Sequence, residues 1–193
     1  MADISTAKKR FAIDTDGDVV LRLSGADLRV SSKALSLASK VFQAMLSPRY
    51  AEGSTIRNGI ITVDMPEDDK EAMVTLCSVL HHRYEYANRS QTTTSSLSDL
   101  AIAADKYDCV SAVSQWTGNH LSDLIQSAGT SLDYRLLYLT YAFDDYRRFQ
   151  QVTRLLVYSR SSVELLAAIR DSIEEMEKVD KPSLWIKVIC KST

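Results

Sequence analysis

The sequence predicts an α+β protein in which helix dominates. Three observations carry that reading. Val19, Leu21 and Leu23 alternate with Val20, Arg22 and Ser24, the period of a strand with one buried face. From Ser31 onward the apolar residues recur at helical spacing, as Leu35, Ala38, Val41 or Phe42, and Met45. After Pro66 the helical step returns in one segment after another.

The composition supports a globular chain with a real core. Of 193 residues, 45% are hydrophobic and 25% charged. Lys plus Arg is 23 and Asp plus Glu is 25, a net charge of −2. That balance leaves no overall electrostatic footprint for nucleic acid or an anionic membrane. No apolar run approaches the roughly 20 residues of a membrane helix, and Met1 to Arg10 has no hydrophobic signal region. Cys77, Cys109 and Cys190 are odd in number, far apart and set among apolar neighbours. They read as buried thiols of an intracellular protein, cytoplasmic or nuclear, rather than a disulfide framework. Lys8-Lys9-Arg10 is the one basic tripeptide.

Taken in order, Met1 to Thr15 is a polar leader, frayed or forming a weak edge strand. Asp14-Thr15-Asp16-Gly17-Asp18 looks like the start of a calcium loop, but positions 6 and 12 of that loop hold Val19 and Gly25 instead of Gly and Glu. A turn into the first strand is the better reading. Ser24 to Asp27 supplies hairpin chemistry, and Leu28-Arg29-Val30 resumes the alternation. Ser31 or Ser32 caps the first of two short helices. Pro48 to Gly59 reads as a loop and Ile60 to Val63 as a third strand.

A helix should start near Pro66, with Asp68 and Glu71 at capping-box spacing. Its stripe is Met73, Leu76, Cys77 and Leu80, and it should end near Arg83. Ala87 to Ser96 is polar, low in complexity and expected to be a loop, open to phosphorylation. Helices are expected over Leu97 to Ala104, closed by Lys106-Tyr107-Asp108, and over Val110 to Ile125, with Gly129 as the stop. Further stripes mark Leu132 to Phe143, Phe149 to Leu156 after the Asp144-Asp145 break, and Val163 to Met176. Pro182 fits the first position of a last short helix.

Nothing in these patterns indicates catalysis. His81 and His82 are adjacent at a helix end, where they point in different directions, and His120 stands alone. There is no Gly-x-Ser-x-Gly elbow or phosphate-cradling loop, and the cysteines do not come in metal-ligand pairs. No catalytic, cofactor-binding or metal-binding residue is assigned, and no cofactor, nucleic acid or membrane partner is expected.

Four short motifs do carry a resemblance. Asp18-Val-Val-Leu-Arg-Leu-Ser-Gly25, Leu28-Arg-Val-Ser-Ser-Lys-Ala-Leu35, Ser39-Lys-Val-Phe42-Gln-Ala-Met45 and Ala104-Asp-Lys-Tyr107 occur in the order and at the separations of the BTB/POZ domain. Residues 18 to about 125 resemble that family, particularly its divergent fungal members. Ser32 stands where many members have His. The resemblance implies a BTB/POZ domain over 18–127, a short three-stranded sheet flanked by helices, with a polar leader over 1–17 and a helical extension over 130–193. Dimeric animal members begin with a helix and strand that swap between subunits. About seventeen mostly polar residues precede the first core strand here, which argues against a swapped homodimer.

The resemblance also implies a function. BTB domains are non-catalytic interaction modules, and a large subset are substrate adaptors for cullin-RING ubiquitin ligases. In that subset a hydrophobic-x-Glu motif after the second helix enters the cullin. Here the corresponding stretch is Met45-Leu46-Ser-Pro-Arg-Tyr50-Ala-Glu52. Tyr50 would be the inserted anchor and Glu52 its charged neighbour, with Met45 completing the partner-binding set. A substrate would then be held by 130–193 or by Ala87 to Ser96. The alternative is an oligomerisation or scaffold protein with a non-cullin partner, in the nucleus or outside it.

Overall fold

The computed structural model describes residues 8–47, 55–57, 59–87, 91–128, 133–159 and 170. A mixed sheet comes first in the chain. Its strands are β1 (Lys9–Ala12), β2 (Val19–Leu23), β3 (Ala26–Val30), β4 (Thr55–Arg57) and β5 (Ile60–Met65), in the spatial order β1-β3-β2-β5-β4. β2 and β3 form the expected hairpin, with Val19, Leu21 and Leu23 opposite Val30, Leu28 and Ala26. All six are buried. The turn is tighter than Ser24 to Asp27, because Gly25 at φ 84 lets β3 begin at Ala26. The leader supplies an edge strand: β1 runs parallel to β3 with Phe11 opposite Leu28.

β5 lies parallel to β2 and sets Ile61, Val63 and Met65 opposite Val19, Leu21 and Leu23. It continues past Val63 to Met65. Pro48 to Gly59 is not loop throughout, since Thr55–Arg57 pairs antiparallel with β5 at the sheet edge. Gly59 takes φ 76 at the return, a conformation that favours glycine. The sheet therefore has five strands where three were expected.

The chain divides into two compact units, Met1–Val113 and Ser114–Thr193. The first holds the sheet and the helices α1 (Ser32–Ala38), α2 (Lys40–Met45), α3 (Lys70–Leu80), α4 (Tyr84–Ala87) and α5 (Thr94–Lys106). Its central element is α3. Ala72–Val74 and Leu76–Leu80 are all buried, because the helix meets α5, α4, α1 and β3 on several sides. Its N-cap is Asp69, which accepts the Ala72 N–H at 2.8 Å, and not Asp68. Asp68 is diverted to Lys106 Nζ and the Tyr107 hydroxyl, each 2.7 Å away.

α3 stops at Leu80 rather than near Arg83. His82 turns to φ 55, and the N–H groups of His82 and Arg83 donate to the Val79 and Ser78 carbonyls. This is a Schellman motif with histidine in the place usually taken by glycine. α5 begins inside the stretch expected to be a loop. Its cap is Thr93, whose hydroxyl accepts the Ser96 N–H while the Ser96 hydroxyl accepts the Thr93 N–H. Residues 88–90 of that stretch lie outside the described residues.

The helix α6 (Val110–Ala128) spans the division between the units. The second unit continues with α7 (Arg135–Ala142) and α8 (Tyr146–Ser159). Leu136, Leu139 and Phe143 of the α7 segment and Val152 and Leu156 of α8 are among its buried apolar residues. Asp144 at φ 54 ends α7, and Asp145 starts α8 by accepting the Arg148 N–H at 3.1 Å. The helices expected over Val163 to Met176 and after Pro182 lie outside the described residues, except for helical Arg170. Among the described residues no helix is long and apolar enough to cross a membrane. The class is α+β, dominated by helix, as the sequence predicts.

Candidate interaction surface

The α1–α2 pair is built from the strand end outward. Asp18, just before β2, accepts the Ser32 N–H at 2.7 Å and the Ser32 hydroxyl at 2.6 Å. Burial works to raise the Asp18 pKa, but these hydrogen bonds outweigh it and hold the carboxyl below its usual range. Ser31 caps α1 through the Ala34 N–H. From the other side, His81 Nε2 accepts the Ser31 N–H at 2.9 Å and Nδ1 donates to the Cys77 carbonyl at 2.7 Å. Both ring nitrogens are used, in the neutral tautomer that carries its proton on Nδ1.

One serine separates the two helices. Ser39 is extended at φ −145, and its N–H closes α1 on the Leu35 carbonyl. Its hydroxyl then opens α2 by accepting the Phe42 N–H at 2.9 Å, and donates to the Tyr107 carbonyl at 2.5 Å. Phe42 faces inward and stacks on Tyr107, with ring centroids 4.4 Å apart and planes 6° from parallel. The Tyr107 hydroxyl reaches Asp68. Burial, with that carboxylate beside it, raises the Tyr107 pKa. The stripe through α2 thus runs by Phe42, not Val41.

Outward, the pair presents Lys33, Leu37, Lys40 and Val41. Leu37 is 80% exposed and Val41 36%. Met45 is the last residue of α2 and half-buried. Tyr50 and Glu52, the other two residues of the expected partner-binding set, lie outside the described residues.

The titratable groups are occupied separately. His82 Nδ1 lies 3.0 Å from the Tyr84 hydroxyl, while His81 is held by Ser31 and Cys77. His120 packs against Trp116 with centroids 4.1 Å apart. Burial pushes the Cys109 thiol up to about 11, and pushes Cys77 upward as well, so neither is a thiolate at neutral pH. Among the described residues no three or more His, Cys, Asp or Glu side chains are grouped to hold a metal ion. The arrangement offers surfaces for contact.

A scan against models of known protein families finds no match for this chain. A search among curated proteins finds none either.

Sequence reasoning missed the double role of Ser39 and the clamp made by His81. A serine three residues before Phe42 is a capping signal that was present but masked by the apolar stripe running across it. The Cys77 carbonyl is one helical turn from His81, but its other partner, Ser31, lies fifty residues away and leaves no local signal.

Proposed function

We propose that residues 18–127 form a BTB/POZ domain and that the chain is a non-catalytic protein-interaction protein, a substrate adaptor for a cullin-RING ubiquitin ligase. One observation supports the reading above the others. Two motifs that carry the family resemblance, Ser39-x-x-Phe42 and Ala104 to Tyr107, lie far apart in the chain yet mate through a hydrogen bond and a stacked ring pair. Motifs that occurred by chance would have no reason to meet. The Asp18 of a third motif is engaged as well, on Ser32 of the fourth.

On this reading the cullin meets the end of α2 and the chain beyond it, with Tyr50 as the inserted aromatic, Glu52 beside it and Met45 at the helix end. A buried aromatic anchor typically costs ~2 kcal/mol or more when truncated. The test is capture of a purified cullin N-terminal domain by the full chain, with and without Tyr50→Ala. The unmutated chain should retain the cullin and the variant should release it. No capture by the unmutated chain sinks the adaptor reading, and capture indifferent to Tyr50 sinks the anchor.

A second reading, an oligomerisation or scaffold protein with a non-cullin partner, is favoured by Leu37 and Val41. Both face solvent on the same helix pair. Light scattering decides for it if the chain self-associates and Leu37→Ser restores a monomer.

A further inference from the structure

We infer that the outward face of α8 docks an acidic protein segment bearing large apolar side chains. α8 carries Arg147, Arg148 and Arg154, and no Asp or Glu occurs between Tyr146 and Ser159. Arg148 is used inside the unit, pairing with Asp145 and donating from Nε to the Ser122 hydroxyl at 2.8 Å. Arg147 and Arg154 are exposed. They lie two helical turns apart on one side, roughly 10 Å along the axis. Tyr158, one turn further, is 88% exposed, and Val157 and Tyr146 beside this stripe are 53% and 70% exposed.

Arginine and tyrosine are the residue types that most often anchor interfaces. Here they form a cationic, aromatic face with no carboxylate of its own helix to balance it, on a chain whose net charge is −2. The complementary occupant carries carboxylates spaced to meet both arginines and apolar groups to cover the tyrosines. A membrane surface fits less well. The apolar stripe of α8, with Val152 and Leu156, is already buried, and the arginines occupy the centre of the outward arc instead of its margins.

The surface stands independently of the adaptor reading; what rests on that reading is the identity of the bound segment as part of a substrate. The test uses the full chain and a fluorescein-labelled amphipathic peptide of Glu and Leu, read by anisotropy. A counterpart with Lys at every Glu is the control. The Glu/Leu peptide should bind and weaken with salt, and the Lys/Leu peptide should not bind. Arg147→Glu with Arg154→Glu should weaken binding about tenfold or more. Tyr158→Ala should weaken it while keeping the salt dependence. All these positions are exposed, so the helix signal in circular dichroism should be unchanged.

Absence of binding to the unmutated chain overturns the inference, as does equal binding by the charge-reversed chain. Arginine-dependent binding to phosphatidylserine vesicles without peptide binding overturns it in favour of a membrane. Cullin capture is measured on the same samples. Peptide binding without cullin capture leaves α8 standing and sinks the adaptor reading, and the reverse result does the opposite.

Discussion

Ser39 holds two elements through one hydroxyl, so its loss should cost more than an ordinary helix cap. Ser39→Ala removes the cap on Phe42 N–H and strips the Tyr107 carbonyl of a donor in a buried setting. The two losses together should destabilise the fold by about 2 kcal/mol. Ser31→Ala, whose cap bond is long at 3.4 Å and half-buried, should cost less. Urea unfolding midpoints of the two variants check the order. His81 sets a pH dependence. Its pKa is lowered from 6.5 by burial, against an opposing bond from the Cys77 carbonyl and the field of Asp14. Between the lowered value and 6.5 the unfolded chain therefore binds a proton that the folded chain does not. Stability is complete above 6.5 and falls as the pH drops through that interval, since imidazolium cannot accept the Ser31 N–H. Unfolding midpoints measured from about pH 8 down to about pH 5 should decline, and His81→Ala should flatten that decline. His120 is lowered by burial too and adds to the decline in the same direction. The Asp18 contribution is separable, because its lowered carboxyl is lost only below 3.8.

Three helices end alike, and none ends on glycine. After α3, α5 and α7 the chain turns left-handed at His82, Asp108 and Asp144, and the next residue donates back to the carbonyl five before it. Side chains pay a steric cost in that conformation, and an acid at a helix C-terminus opposes the dipole as well. Asp108 combines both, so Asp108→Gly should stabilise the protein by about 0.5–1 kcal/mol, the reverse of most substitutions. A raised thermal midpoint checks it; a lowered one shows that the Asp108 side chain holds the turn. The same geometry explains which elements were legible. β2 was plain because Val19, Leu21 and Leu23 bury one face while Arg22 stays in solvent. The α3 stripe was plain but its end was not, because the left-handed residue that stops it is His82, a residue type that gives no stop signal of its own. β4 has three residues and no period to read. α5 hid its start in a polar run, because its capping box pairs Thr93 with Ser96 instead of Glu or Gln.

For the whole molecule, the two candidate surfaces lie in different compact units, with Met45 in the first and α8 in the second. Sequence alone pointed to the first, through a short motif whose Tyr50 and Glu52 lie outside the described residues. For the second it marked only the inward stripe, Phe149 to Leu156; how far Tyr146, Val157 and Tyr158 stand exposed beside Arg147 and Arg154 came from the structure. If the two surfaces are separate handles, an exposed substitution in one shifts the other's affinity by no more than ~0.5 kcal/mol. An adaptor works by holding both partners at once. Beads carrying the Glu/Leu peptide should therefore retain the cullin domain only when the unmutated chain is added. Arg147→Glu with Arg154→Glu should abolish that retention by leaving the chain itself unbound. Tyr50→Ala should abolish it differently, with the chain still on the bead and the cullin in the wash. Retention that survives either change, or a Tyr50 variant that also leaves the bead, would show that the two surfaces are not separate handles for two partners.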